Sequence, residues 1–219
     1  MQVPLQGWLI VGNIPLNVRV RCETGPRSYM DCPDDLADQI RFQAHKGHNM
    51  ASIVGAKPID FSAKRPSLNE TVEIVVAPMA SITIVNIYGN VDIRDTGGYV
   101  SLMAMTGGSH FISGVAQVDA VINGGHLKVT ARHMIQATIM NRSTAELFGK
   151  DGIMGVSLAE LILHASGEST GMFNGNEIKS GIITAFTGSN LRLNTQMYPG
   201  IQLFAEESTG SSIIVDRAY

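Results

Sequence analysis

Apolar residues recur at every second position over much of this chain, which is the spacing of a β-strand with one face turned to a core. Leu16, Val18 and Val20 alternate with Asn17, Arg19 and Arg21. Together with a short apolar run near Gly7–Val11 and a turn around Asn13-Ile-Pro15, this predicts two strands in the first 22 residues. Glu23 to Met30 reads as a polar loop around Gly25-Pro26. Thr71–Val76 and Ser81–Tyr88 are β-branched runs separated by Pro78, which cannot continue a central ladder. A last strand is expected over Ser212–Val215.

Two segments depart from the period of two. Over residues 33–46, Leu36, Ile40 and Ala44 recur at spacing four, as on one face of a helix. Pro33 suits a first helical position, Asp34, Asp35 and Asp38 sit where the dipole favours anions, and Lys46 and Gly47 suit the end. One short helix is predicted there. The stretch GVSLAELILHASG, 155–167, carries a capping-box signal in Ser157 and Glu160. Only 11 residues separate its bounding glycines and both flanks read as β, so strand is the preferred reading.

Glycine punctuates what lies between. In GNVDIRDTGGYVSLMAMTGGSHFISGVAQVDAVINGGHLKV, residues 89–129, Gly-Gly pairs stand at 97/98, 107/108 and 124/125, 10 and then 17 residues apart. Such pairs enter left-handed turns without a Cβ clash. The uneven intervals suit a β-solenoid with uneven loops, or a series of hairpins as in a β-sandwich. Phe173-Asn-Gly175-Asn reads as one such hairpin turn.

Charge then divides the chain. Residues 1–70 hold 15 charged side chains and residues 71–140 hold 7, with a proline-rich charged stretch, KPIDFSAKRPSLNE, at 57–70. The expected organisation is a small α+β N-terminal region (1–70, with a linker at about 57–70) and a glycine-rich, mainly β body (71–219).

At 219 residues and 44% hydrophobic, the chain is long enough to bury a core without metal or disulfide staples. Its net charge of −3 and lack of any Lys/Arg run argue against nucleic acid, whose phosphates demand cations. No stretch approaches the roughly 20 apolar residues of a membrane helix, and MQVPLQGWLIVG lacks the basic start of a signal peptide. Neither a membrane span nor a secretory route is expected, which leaves a virion or a cytoplasmic assembly. Two cysteines, Cys22 and Cys32, are too few for a disulfide framework and are expected as free thiols.

Candidate chemistry is sparse. His45 and His48 form H-x-x-H, but no third metal ligand is specified nearby. His110 and His126 each follow a Gly-Gly pair, offset by one residue, so equivalent turns place them on opposite faces; with His133 and His164 they are expected to be structural. Glycoside chemistry needs two carboxylates on one bond. Asp92, Asp95, Asp119, Glu146, Asp151 and Glu160 are the candidates in the β region, and Asp95 in RDTGG reads first as a turn former. There is no G-x-S-x-G and no phosphate-cradling glycine motif. Aromatic content of 6% weakens a sugar-stacking or single-strand-stacking surface. No catalytic, cofactor or metal residue is therefore assigned, and no cofactor is expected.

Two features point to assembly. Eleven methionines suit core filling or a packed interface. In Tyr99–Met105 neither set of alternating residues is charged, as in strands covered on both faces. A second copy would supply the cover. The expected function is a non-enzymatic structural assembly protein, a homo-oligomer with a trimer preferred, attached to another structural protein through residues 1–70. In organisation, though in no motif, the chain is similar to phage decoration, fibre and tail proteins. A polysaccharide-binding or polysaccharide-cleaving protein using Asp92, Asp95 and Asp119, and a filament-forming β-solenoid, are the alternatives.

Overall fold

The computed structural model describes residues 2–3, 7–14, 16–23, 28–31, 40–45, 50–56, 71–85, 89–105, 107–149 and 158–216. They form seventeen strands in chain order. β1 (Gln2–Val3), β2 (Trp8–Gly12), β3 (Asn17–Cys22), β4 (Ser28–Asp31), β5 (Ile40–His45) and β6 (Met50–Gly55) come first. β7 (Thr71–Val76), β8 (Ser81–Val85), β9 (Val91–Arg94) and β10 (Tyr99–Ala104) follow. Next come β11 (Gly108–Asn123), β12 (Gly125–Met140), β13 (Thr144–Gly149) and β14 (Leu158–Ala165). The last are β15 (Thr170–Ala185), β16 (Asn190–Glu207) and β17 (Ser212–Asp216). The mainly β expectation holds.

Most neighbours pair in parallel, in two ladders. Ladder I runs β6, β2, β8, β10, then the second halves of β11 and β12, β14, and the second halves of β15 and β16. Ladder II runs β7, β3, β9, the first halves of β11 and β12, β13, the first halves of β15 and β16, and β17. The chain crosses from one ladder to the other on each circuit. In β11 the crossing is a register shift between Ile112 and Val115, where Gly114 has a φ of +66°. A Cβ there would lie 2.7 Å from the Cα of Asp95, so the corner demands glycine on two counts.

Strict alternation fills the space between the ladders. Val18, Val20, Val91, Ile93, Ile112, Leu127, Val129 and Leu147 point in from ladder II, and Leu9, Val11, Ile82, Ile84, Val100, Leu102, Ile135 and Leu163 from ladder I. Both sets belong to one core. Gly171 of ladder II lies against Ile139 and Leu163 of ladder I, which shows the two inner faces in contact.

Two expectations change. First, the helix over 33–46 is not formed where the structure describes it: residues 40–45 are strand β5, antiparallel to β6, while 32–39 lie outside the described residues. Ile40 and Phe42 pack on the core and Arg41 and Gln43 are exposed, which is a period of two. Spacing four is even, so it fits a strand face as well as a helix face. Second, the glycine turns join parallel strands rather than hairpins, and Phe173 to Asn176 lies inside β15, where Gly175 marks its crossing between ladders. The outer side of Tyr99–Met105 is open in the single chain, as a face left for a second copy would be: Met103 is 43% exposed and Met105 39%, whereas Val100, Leu102 and Ala104 are buried.

β2 and β3 sit between strands that come later in the chain. β2 pairs with both β6 and β8, and β3 with both β7 and β9. The compositional shift near residue 70 therefore does not coincide with a break in pairing, and the proposed linker at 57–70 lies outside the described residues. Beyond β6 and β7, the antiparallel strands β5 and β4 close that end of each ladder.

Candidate functional site

The alternation that buries one side of each strand lines up the other side in rows, one residue per coil. The three aspartates singled out for glycan chemistry fall in three places. Asp92 stands on the outer face of ladder II, held by Arg94 at 2.8 Å and Arg19 at 3.5 Å. Asp95 occupies the corner against Gly114 with a φ of 55°, as a turn former does. Asp119 stands on the outer face of ladder I beside Ser101 and Gln136, where its side chain bonds the Tyr99 hydroxyl. Partial burial and then the Asp119 charge push the Tyr99 hydroxyl above its ordinary pKa. A hydrolytic pair must flank one bond, and these three are spread over the two outer faces and a corner between them. Glu146 pairs with Lys128 at 3.1 Å on ladder II, Glu160 faces outward on ladder I, and Asp151 lies outside the described residues.

The histidines are placed by the same parity. His110 points into the core, 1% exposed, and His126 points outward, as the one-residue offset predicts. His126 Nδ1 lies 2.7 Å from Thr144 Oγ1, and His164 Nδ1 lies 2.6 Å from Thr184 Oγ1. Each is a hydroxyl contact to the next coil. His45 Nε2 is 3.2 Å from Ser52 Oγ; His48 lies outside the described residues. His133 is exposed at the corner within β12. Among the described residues no group of three His, Cys, Asp or Glu is placed to hold a metal. Cys22 carries a free thiol whose pKa burial, Asp95 and Glu23 all raise; Cys32 lies outside the described residues.

A groove of about 600 Å³ runs along the outer face of ladder II. Its axis is a row of register partners: His126, Thr144, Thr170, Asn190 and Ser212. Short polar side chains make the floor low, and Glu146, Met172 and Arg192 stand along one side. The charges are already engaged, Glu146 with Lys128 and Arg192 with Asp216 at 2.5 Å. The groove therefore offers neutral donors and acceptors, among them the hydroxyl–imidazole contact of Thr144 with His126. Sequence reading misses this row because its members are separated by unequal steps of 18, 26, 20 and 22 residues. Among the described residues no helix is long and apolar enough to cross a membrane.

No protein-family model matches this chain, and no curated protein matches it. Its backbone is similar to a crystal structure described as a "putative adhesin" from Bacteroides fragilis NCTC 9343. The TM-score is 0.56 at 12% identity, over 99% of this chain and 95% of that one. A second structure, described in the same words and from Parabacteroides merdae ATCC 43184, gives a TM-score of 0.47 at 10% identity, with the same coverage of each chain. The first likeness shows a shared fold over nearly the full length of both chains.

Proposed function

We propose that this chain is a non-enzymatic surface or structural β protein that acts by presenting its outer ladder faces to a partner. The observation that carries this reading is the separation of Asp92, Asp95 and Asp119 onto one face, one corner and the opposite face. The remaining outward charges are largely spent on each other across coils. The adhesin description of the Bacteroides neighbour agrees with such a role. The narrower expectation of a virion component rests on the organisation of the chain alone. Of residues 1–70, the strands β1 and β5 are the part available for attachment, since β2, β3, β4 and β6 are each flanked on both edges.

Incubation of the full chain with a panel of polysaccharides, followed by a reducing-end assay, tests the reading. No new reducing ends are expected, and their steady release would overturn it. Light scattering of the same protein reads self-association, for which a trimer is the expected order.

A further inference from the structure

The outer face of ladder I carries two aromatic side chains in one row. Trp8 stands opposite Ser81. Ser81 precedes Ile82, the partner of Val100, so Tyr99 comes next in the same row. Trp8 is 46% exposed. Its indole Nε1 donates to Thr83 Oγ1 at 2.8 Å, and Thr83 lies two residues beyond Ser81. The indole is thus laid diagonally across β8. Tyr99 lies two strands on, opposite Gln117, and its hydroxyl is held by Ser101 on its own strand and by Asp119, two residues beyond Gln117. Both rings are tied down by their polar edges, in the same direction.

Neighbouring strands lie ~4.8 Å apart, so the two rings are separated by roughly 10 Å. Only the short side chain of Ser81 stands between them. That separation is close to the length of two pyranose units in an extended β-linked chain. Thr83, Ser101, Gln117 and Gln136 surround the rings with neutral hydroxyls and amides. Among the described outward positions of ladder I from β2 to the second half of β12 there is no Lys or Arg. A stacked nucleic acid would need those cations for its phosphates. A sugar needs what is present, an apolar ring face for its C–H face and polar neighbours for its hydroxyls.

We propose that the Trp8–Tyr99 row is a binding platform for a neutral, β-linked glycan lying along the stacking direction of the coils, one pyranose ring on each aromatic. This rests on the reading of the chain as a surface-binding protein and names its ligand class. Because both rings are held before the ligand arrives, little ordering remains to be done on binding.

Affinity electrophoresis of the full chain through gels containing a soluble neutral β-glucan, β-mannan or xylan tests the proposal, with dextran and heparin as controls. Tryptophan fluorescence titration with the matching oligosaccharides gives the affinity. Retardation by at least one of the three β-linked polymers, and by neither control, is expected. Trp8→Ala should weaken binding by about tenfold or more, the effect of losing one stacking platform. Ser81→Arg leaves both rings in place but fills the gap between them, and should weaken binding as strongly. Tyr99→Phe keeps the ring and should retain more of the affinity than Tyr99→Ala. Circular dichroism separates these losses from misfolding. Absence of binding to all three polymers overturns the glycan platform and leaves the surface-protein reading standing. Binding untouched by Trp8→Ala and Ser81→Arg but lost with Arg192→Ala moves the site to the ladder II groove, and overturns it equally. Release of reducing ends instead strikes the non-enzymatic reading.

Discussion

Buried serines show how single residues hold one coil to the next. Ser143, Ser169 and Ser189 are each fully buried, and each follows two residues with positive φ: Asn141 and Arg142, Gly167 and Glu168, Thr187 and Gly188. Ser169 Oγ donates to the Ser166 carbonyl at 2.7 Å, closing its own turn, and accepts the Ser143 N–H at 3.2 Å. Ser143 Oγ does the same for the Met140 carbonyl and the Gly124 N–H. Ser169→Ala leaves a buried N–H without its acceptor, which costs about 1–3 kcal/mol. Urea denaturation should show a lower midpoint with an unchanged slope. Cys22 gives a second expectation at this scale. Its pKa is raised above that of an ordinary thiol by burial and by the nearby carboxylates of Asp95 and Glu23. A raised pKa means less thiolate at a given pH, so the thiol should react with a disulfide reagent more slowly than free cysteine at pH 8 and catch up only in stronger base.

At the scale of elements, the chain's own pattern reveals its strands but not their partners. Local apolar and β-branched patterning places β2, β3, β7 and β17 nearly where they form, because it is a local property, and the β flanks and bounding glycines place β14. The helix expected around Ile40 failed because Leu36, Ile40 and Ala44 share parity as well as helical spacing, and Phe42 between them was the discriminating residue. Parallel pairing was illegible for a different reason. Register partners such as Ser109 and His126, or Thr144 and Thr170, lie many residues apart, and no local signal couples them. The aromatic row was hidden in the same way: a low aromatic count says nothing of Trp8 and Tyr99 sharing a face. The pairing itself makes an element-scale expectation. Deleting residues 1–22 removes two strands flanked on both edges and should abolish cooperative unfolding measured by circular dichroism. Ending the chain after Gly210 removes only β17, which pairs with β16 alone among the described strands, and should merely lower the midpoint.

Over the whole molecule, the apolar space between two ladders carries stability, and the charges outside it contribute little. The outward ion pairs involve side chains that are 23–80% exposed, and exposed pairs are worth roughly 0–1 kcal/mol each. Raising sodium chloride to ~1 M should therefore leave the thermal midpoint nearly unchanged, since screening acts on a small term. A fall of many degrees would show that the charged rows matter more than their exposure implies.

The position of β2 and β3 has a consequence under load. The route of a pull on the chain decides which bonds break first. Drawing the chain out through β17 peels a strand held along a single edge. Drawing it out through β2 must break pairing with β6 and β8 together, and then β3 from β7 and β9. The first coil is locked between coils that follow it in the chain, so the fold resists force from its beginning more than from its end. Single-molecule stretching from the two directions should read this as a higher rupture force when tension enters through the N-terminal strands.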